Sequence, residues 1–343
     1  MKALVLDKYN ELNYRDFPDP VIRNDEVLIE VKACGICGSD VHGMDGSTGR
    51  RIPPVVMGHE ASGVIIETGS DVKNWQTGDR VTFDSTIYPL NDWYTLNGRY
   101  NLSDNRMVLG VSPGEYRRHG AFAEKVAVPG HILHRIPSNV TFVEAAMAEP
   151  IAVAAHAINV AGMKPGSNVI VAGAGMVGIF VIKLLKLFGA NKVFAVDIDQ
   201  EKLMLASEYG ADFTINPMEK YLEGTVKKQT HNRGADISFE VVGIEETVNQ
   251  CINNTRKGGT VVLVGNLSSN ITFPLQKVVT QEMNILGSCA IRGEYELVME
   301  LLSGKKVDPA RLISAVAPLS EGAAWFKRLY NKEKGLKKVI LTP

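Results

Sequence analysis

NVIVAGAGMVGIFVIKLLKLFGANKVFAVDID, residues 168 to 199, joins two short apolar runs through a glycine-rich turn and a longer stretch of helical texture. Apolar runs of four to eight residues rich in valine and isoleucine, alternating with amphipathic segments, are the pattern of strands buried on both faces and of the helices that cover them. Working outward, the alternation continues through EKLMLASEYG, DFTI, DISFEVVG, the stretch Glu245 to Thr255, TVVLVG and MNILGS. The expectation is an α/β unit with about six parallel strands in a doubly wound sheet.

Within the quoted stretch Gly173, Gly175 and Gly178 spell GAGMVG, with Met176 and Val177 between the last two, directly after a strand and at the start of a helix. Glycine at the first position permits a tight turn, at the second it lets backbone approach a pyrophosphate, and at the third it lets the helix close on the sheet. The helix N-terminus then favours the phosphate charge. The same spelling also fits an ordinary strand-to-helix turn. Asp197 ends the next strand, 19 residues beyond Gly178, where a carboxylate accepts hydrogen bonds from ribose hydroxyls and repels a 2′-phosphate. As a helix cap beside Asp199 it would leave the glycines unexplained. Together these residues predict a bound dinucleotide, NAD in preference to NADP, with Lys202 tempering that preference. Gly243 and Gly265 follow later strands, at the ends that form the ligand crevice of such a sheet.

The chain's 343 residues suit two modest domains, and 45% hydrophobic residues with a net charge of -1 describe an ordinary globular protein. That balance offers no field for nucleic acid or an anionic membrane. No stretch reaches the ~20 apolar residues of a membrane span. The start, MKALVLDKYN, is too short an apolar run for a secretory signal, and Cys34, Cys37, Cys251 and Cys289 are too few for a disulfide framework. A cytoplasmic protein with small-molecule partners is expected.

Before residue 141 the texture is that of strands and turns. Val27, Ile29, Val31 and Ala33 alternate with Leu28, Glu30 and Lys32, and further strand signals run at Gly63 to Glu67, Asp79 to Phe83 and Ala121 to Val128. From Glu294 the chain reads as two amphipathic helices and a last apolar strand, KKVILTP, able to pack back onto the first part. Residues 1–152 and 289–343 are therefore assigned to one domain and 153–288 to the nucleotide-binding domain.

CGICGSDVH, Cys34 to His42, and GHE, Gly58 to Glu60, supply thiolate, imidazole and carboxylate, the donors of a catalytic zinc. Cys37 and His59 are read as ligands and Cys34 as packing. A redox Cys-x-x-Cys pair is disfavoured because no helix is expected after it. These segments, with TGDRV at Thr77 to Val81, GAFAE at Gly120 to Glu124, EP at Glu149 and Pro150, and the glycine turn, resemble the zinc-containing medium-chain dehydrogenases over nearly the whole chain. EPIAVAAHA, from Glu149, is similar to the sorbitol and polyol dehydrogenase branch, in which a glutamate takes a place that simple alcohol dehydrogenases give to cysteine.

The resemblance implies an irregular, β-rich GroES-like catalytic domain beside a Rossmann sheet. It implies one catalytic zinc held by Cys37, His59 and a carboxylate, Glu60 or Glu149, directly or through water. It further implies Ser39 as a relay hydroxyl, His42 as the terminal base, and Asp40 as the carboxylate that orients His59. The family's structural zinc, held by four cysteines, has no counterpart in YPLNDWYTLNGRYNLSD, Tyr88 to Asp104, where Pro89, Asp92, Thr95 and Ser103 stand at the expected positions. That lobe is then expected to rely on packing of Trp93, Tyr94 and Tyr100. The implied reaction is NAD-dependent oxidation of a secondary hydroxyl of a small polyol to a ketose, in a homodimer or homotetramer. Alternatives are a polyol phosphate such as galactitol 1-phosphate, with Arg117, Arg118 and Arg292 as phosphate partners, or an amino alcohol of the threonine type. More remote is a nucleotide-binding protein without catalysis.

Overall fold

The computed structural model describes residues 1–111 and 117–343. The chain forms two compact units, Met1–Glu149 with Ile291–Pro343, and Pro150–Ala290. Their junctions lie two or three residues from those read in the sequence, so that Glu149 closes the first stretch of the first unit.

In the second unit six strands lie parallel in the order Phe213–Ile215, Lys192–Val196, Asn168–Ala172, Ala235–Glu240, Thr255–Leu263 and Asn284–Gly287. This is the doubly wound arrangement expected, with the order reversing beside Asn168–Ala172. The runs are apolar throughout because the central strands are covered on both faces: Val169, Ile170, Val171, Val193, Phe194 and Phe239 are buried. Helices Met176–Leu187, Gln200–Glu208 and Glu245–Asn254 match the amphipathic stretches. Leu222–Gln229 and Leu275–Thr280 are also helical; at about two turns each they show too few apolar repeats to be read in advance.

The first unit is built on a seven-stranded sheet in which Glu26–Gly35 lies between Glu60–Thr68 and the C-terminal strand Lys338–Thr342, antiparallel to both. The register sets Gly35 opposite Glu60 on one side and Ile340 on the other. Strand Arg80–Phe83 follows Glu60–Thr68, and Lys125–Pro129 pairs with Glu26–Gly35. Period-two burial appears only in part: Val27, Ile29, Val31 and Ala33 lie in the core and Glu30 and Lys32 are half-buried, but Leu28, expected on the other face, is buried as well. The tail does return to this unit, as helices Tyr295–Ser303 and Gly322–Tyr330, but it also adds a strand at Ile313–Pro318. Among the described residues no helix is long and apolar enough to cross a membrane.

Two expectations need correction. A helix does follow Cys37, at Gly38–Gly43; six residues, two of them glycine, carry no readable helical period. The redox reading fails for another reason, since Cys34 is buried in the core and burial holds its thiol well above the ordinary range. In the lobe, Trp93 is 67% exposed, its ring in a T-shaped contact with Tyr94. Tyr100 is what anchors it, stacked on Tyr88 with ring centroids 4.2 Å apart and donating its hydroxyl to buried Asp84 at 2.9 Å.

Candidate functional site

The strand Glu26–Gly35 ends against Glu60, and the turn Ile36–Cys37 launches the short helix. Asp40 caps it from within, its Oδ2 accepting the Cys37 N–H at 3.3 Å. One turn of helix then sends Asp40 inward, fully buried, while Ser39 and His42 stay exposed on the outer side. On the facing segment Gly58 takes φ +94°, the left-handed region that favours glycine. A Cβ there would sit 2.9 Å from Cys34 Sγ. That turn brings His59 and Glu60, both buried, back toward Cys37.

One ligand atom each from Cys37, His59 and Glu60 lie within 4.8 Å of one another. Ser39 donates its hydroxyl to Cys37 Sγ at 3.2 Å. Asp40 Oδ1 stands 3.5 Å from His59 Nδ1, on the long side of a hydrogen bond. With Nδ1 turned to a carboxylate, Nε2 is left to carry the lone pair. Burial opposes a charge on either group, yet His59 and Arg51 hold Asp40 well below the carboxylate range, and Asp40 with Cys37 hold His59 well above its own.

Glu60 has a second partner. Its Oε2 meets Lys338 Nζ at 2.5 Å, and Lys338 also donates to Ile36 O at 3.0 Å. Both side chains are almost wholly buried, and a Cβ on Gly35 would fall 2.3 Å from Glu60 Oε2, so glycine makes room for the carboxylate. Glu149, in the first turn of helix Ala148–Ala161, stands outside the group of three. Burial raises its carboxyl, His59 pulls it down and Glu60 raises it further, with a net upward shift. The helix start that sequence offered as its alternative role is therefore present as well.

A thiolate, an imidazole and a carboxylate within reach of one ion form a donor set suited to zinc. The His59 Nδ1 atom, buried without a well-formed hydrogen bond in the protein, belongs to an imidazole already aimed by its neighbour, so the residues fit the metal.

In the second unit Gly173 takes φ +102°, at the turn that follows strand Asn168–Ala172. Gly175 has nothing within 4 Å of where a Cβ would sit, leaving its backbone open to a ligand. A Cβ on Gly178 would lie 1.9 Å from Gly173 O, where the helix closes on the turn. Met176 and Val177 begin that helix. Asp197 Oδ2 accepts the Ala174 N–H at 2.8 Å, tying the next strand's end to this turn, and Oδ1 accepts the Asp199 N–H at 3.0 Å. Asp199 caps the following helix through Glu201 and Lys202 N–H, which frees Asp197 from that task; the Lys202 side chain is exposed. Gly243 and Gly265 pack on each other, a Cβ on Gly265 meeting Gly243 N at 2.1 Å.

The four lobe positions, Pro89, Asp92, Thr95 and Ser103, hold no thiol and only one carboxylate. Asp92 accepts the Thr95 N–H at 2.7 Å and also the Ser103 hydroxyl, so three of the four hold one another by hydrogen bonds.

Sequence reasoning missed two buried cations, Arg51 and Lys338. Lys338 opens the strand Lys338–Thr342 directly after the exposed Lys337, and the sequence does not set the two lysines apart. Arg51 follows the exposed Arg50 with nothing to set it apart.

Residues 176–304 match the family model described as zinc-binding dehydrogenase, and residues 23–138 match the alcohol dehydrogenase GroES-like domain. The chain is 35% identical to D-xylulose reductase A of Aspergillus niger over 347 residues, covering 98% of this chain and 96% of that protein. An alcohol dehydrogenase of Escherichia coli solved with NADH superimposes with a TM-score of 0.92 at 27% identity, over 100% of this chain and 99% of that one. A protein of Sinorhizobium meliloti described as a zinc-binding dehydrogenase, bound to NADP, gives 0.91 at 30% identity, with coverage of 100% and 99%.

Proposed function

The chain belongs to the zinc-binding dehydrogenases with a GroES-like domain, and from that premise we propose that it oxidises a secondary hydroxyl of a small polyol to the ketose, reversibly, with NAD. The observation that carries this reading is the meeting of Cys37, His59 and Glu60 within 4.8 Å, in a chain whose curated relative is named for the reduction of xylulose.

Cys37 and His59 would hold the ion, with Glu60 or Glu149 as the carboxylate donor. When bound, zinc supplies a Lewis acid that makes a hydroxyl far easier to deprotonate. The remaining work falls to the chain. Asp40 keeps His59 in the productive tautomer. Ser39 relays the hydroxyl proton, accepting it at Oγ as it gives up its own, and His42, three residues on along the same exposed helix face, is the terminal base that releases it to water. Glu60 and Glu149 accept hydrogen bonds from a substrate's neighbouring hydroxyls, which an apolar alcohol would leave unmade. In the second unit Gly173, Gly175 and Gly178 bring backbone N–H groups to the pyrophosphate, Gly243 and Gly265 keep the later strand ends compact, and Asp197 repels a 2′-phosphate, favouring NAD. Lys202 is the nearby cation that would soften this choice. The free thiols of Cys34, Cys37 and Cys251 agree with a cytoplasmic setting. A homodimer or homotetramer remains part of the proposal.

A phosphorylated substrate finds less support. Arg118 is paired with Glu26 and bonded to Ala127 O, so its guanidinium is already engaged, whereas Arg117 gives a single bond to Pro53 O at 3.3 Å. The deciding experiment is a rate screen over C4 to C6 polyols, their ketoses and their phosphates with NAD and NADP. Turnover of a free polyol with NAD is the expected result. Turnover confined to phosphates, to an amino alcohol or to NADP would refute the specific reading.

A further inference from the structure

Arg51 is among the largest fully buried side chains of the molecule, 2% exposed. Removing a guanidinium and a carboxylate from water costs several kcal/mol per ion, and an apolar pair of the same volume would often be no less stable. A reason to keep the charge is geometric. Arg51 donates to Asp40 Oδ1 through Nε at 3.3 Å and Nη2 at 2.8 Å, and the same Nη2 donates to Ser39 Oγ at 3.1 Å. Gly43, one helical turn beyond Ser39 and Asp40, is the space through which this side chain passes. A Cβ there would lie 2.3 Å from Arg51 Cδ and 2.6 Å from Nη1.

A guanidinium can only donate. Ser39 must therefore be the acceptor in its contact with Arg51, and its single proton is left to point elsewhere, here to Cys37 Sγ. The same Nη2, with Nε beside it, holds Asp40 so that Oδ1 faces His59 Nδ1 and Oδ2 faces the Cys37 N–H. One side chain thus touches both the carboxylate that aims the imidazole and the hydroxyl beside the thiolate.

We propose that Arg51 is a positioning residue: it holds the Ser39 oxygen in place and, through Asp40, the orientation of His59, so that the relay hydroxyl and the metal donors are set by one guanidinium. The inference rests on the zinc dehydrogenase reading above. Lysine at this position keeps the charge but has a single nitrogen on a flexible stem, and gives up the Nε contact that helps to fix Asp40.

The test measures zinc affinity of the stripped protein by chelator competition, and kcat against pH with the best polyol, for wild type, Arg51→Met, Arg51→Lys, Ser39→Ala and the double variant Arg51→Met/Ser39→Ala. Arg51→Met is expected to weaken zinc binding ~10–100-fold, to lower kcat more than it changes KM, and to shift the pH profile. Arg51→Lys should recover zinc affinity in part but not the profile. In the Ser39→Ala background Arg51→Met should cost less kcat than it does alone, because partners in one chain of contacts are not additive. If Arg51→Met does not fold, Gly43→Ala displaces the same guanidinium by contact and should move zinc affinity and the pH profile in the same direction. Zinc affinity within twofold of wild type and an unchanged pH profile in a folded variant overturn the inference, as do fully additive losses with Ser39→Ala. A wild-type chain that binds no zinc would instead sink the dehydrogenase reading, and this inference with it.

Discussion

Two regions of the first unit stand at the places where the family carries zinc, and they are built in opposite ways. Around Cys37 and His59 the protein gathers buried charge: Asp40 with Arg51, Glu60 with Lys338, and Glu149 beside them. In the lobe from Tyr88 to Asp104 the corresponding positions carry neutral or capping groups that satisfy one another, Asp92 binding Thr95 and Ser103. Buried ions are expensive unless each has a partner, so a pocket that collects them is organised for something other than stability. A loop that closes on its own hydrogen bonds needs only to stay closed. The comparison separates a site arranged around a ligand from a site arranged around itself.

The sharpest way to break the contrast is at Cys37. Cys37→Ala should release the metal and lower turnover by at least ~10³-fold, the order of a few kcal/mol of lost Lewis-acid stabilisation. NADH affinity, measured by fluorescence titration, should stay within about twofold, because the glycine turn belongs to the other unit. Equal loss of both in a folded protein would show that the two functions are not separately housed.

Next in size is Lys338→Met. It strands the Glu60 carboxylate, 1% exposed, without its partner, and should reduce stability in a urea titration by about 3–5 kcal/mol. A loss below ~1 kcal/mol would mean that the pair is not the buried ion pair described.

Asp84 offers a pH signature. Burial pushes its carboxyl up to about 6, against hydrogen bonds from Thr86 and Tyr100. A folded value above the unfolded one means that the native state holds the proton more tightly. Its stabilising contribution is therefore complete below about pH 4 and is lost as the pH rises through 6. Two units correspond to ~3 kcal/mol at most. Wild type should lose up to that much relative to Asp84→Asn between pH 4 and 7; a gap that does not change with pH would refute it.

The smallest effect belongs to the lobe. Asp92→Ala removes a helix cap and should cost ~1 kcal/mol in stability, with kcat changed less than twofold. A large fall in activity would show that the lobe serves the pocket after all.

Much of this was visible in the sequence. The six parallel strands were, because strands covered on both faces must be apolar at every position, as Val169 to Ala172 and Val193 to Val196 are. Cys37 and His59 stand out because their short motifs are dense in donors, and the three glycines because each solves a different backbone problem. The charge partners were not visible. Lys338 meets Glu60 across 278 residues of chain, and Arg51 is buried while Arg50 beside it is exposed. No local pattern distinguishes the two arginines; only the space left by Gly43 and the carboxylate of Asp40 does. The lobe was misjudged for a related reason, since aromatic residues were counted as packing without knowing which faced inward: Tyr100 does, and Trp93 does not.

The central claim is that a thiolate, an imidazole and a carboxylate from separate stretches of chain hold a single ion, and elemental analysis of the purified, dialysed protein tests it most directly. The account predicts one zinc per chain, retained in Asp92→Ala and lost in Cys37→Ala. No zinc in the wild type, two zincs per chain, or one zinc that survives Cys37→Ala would contradict it.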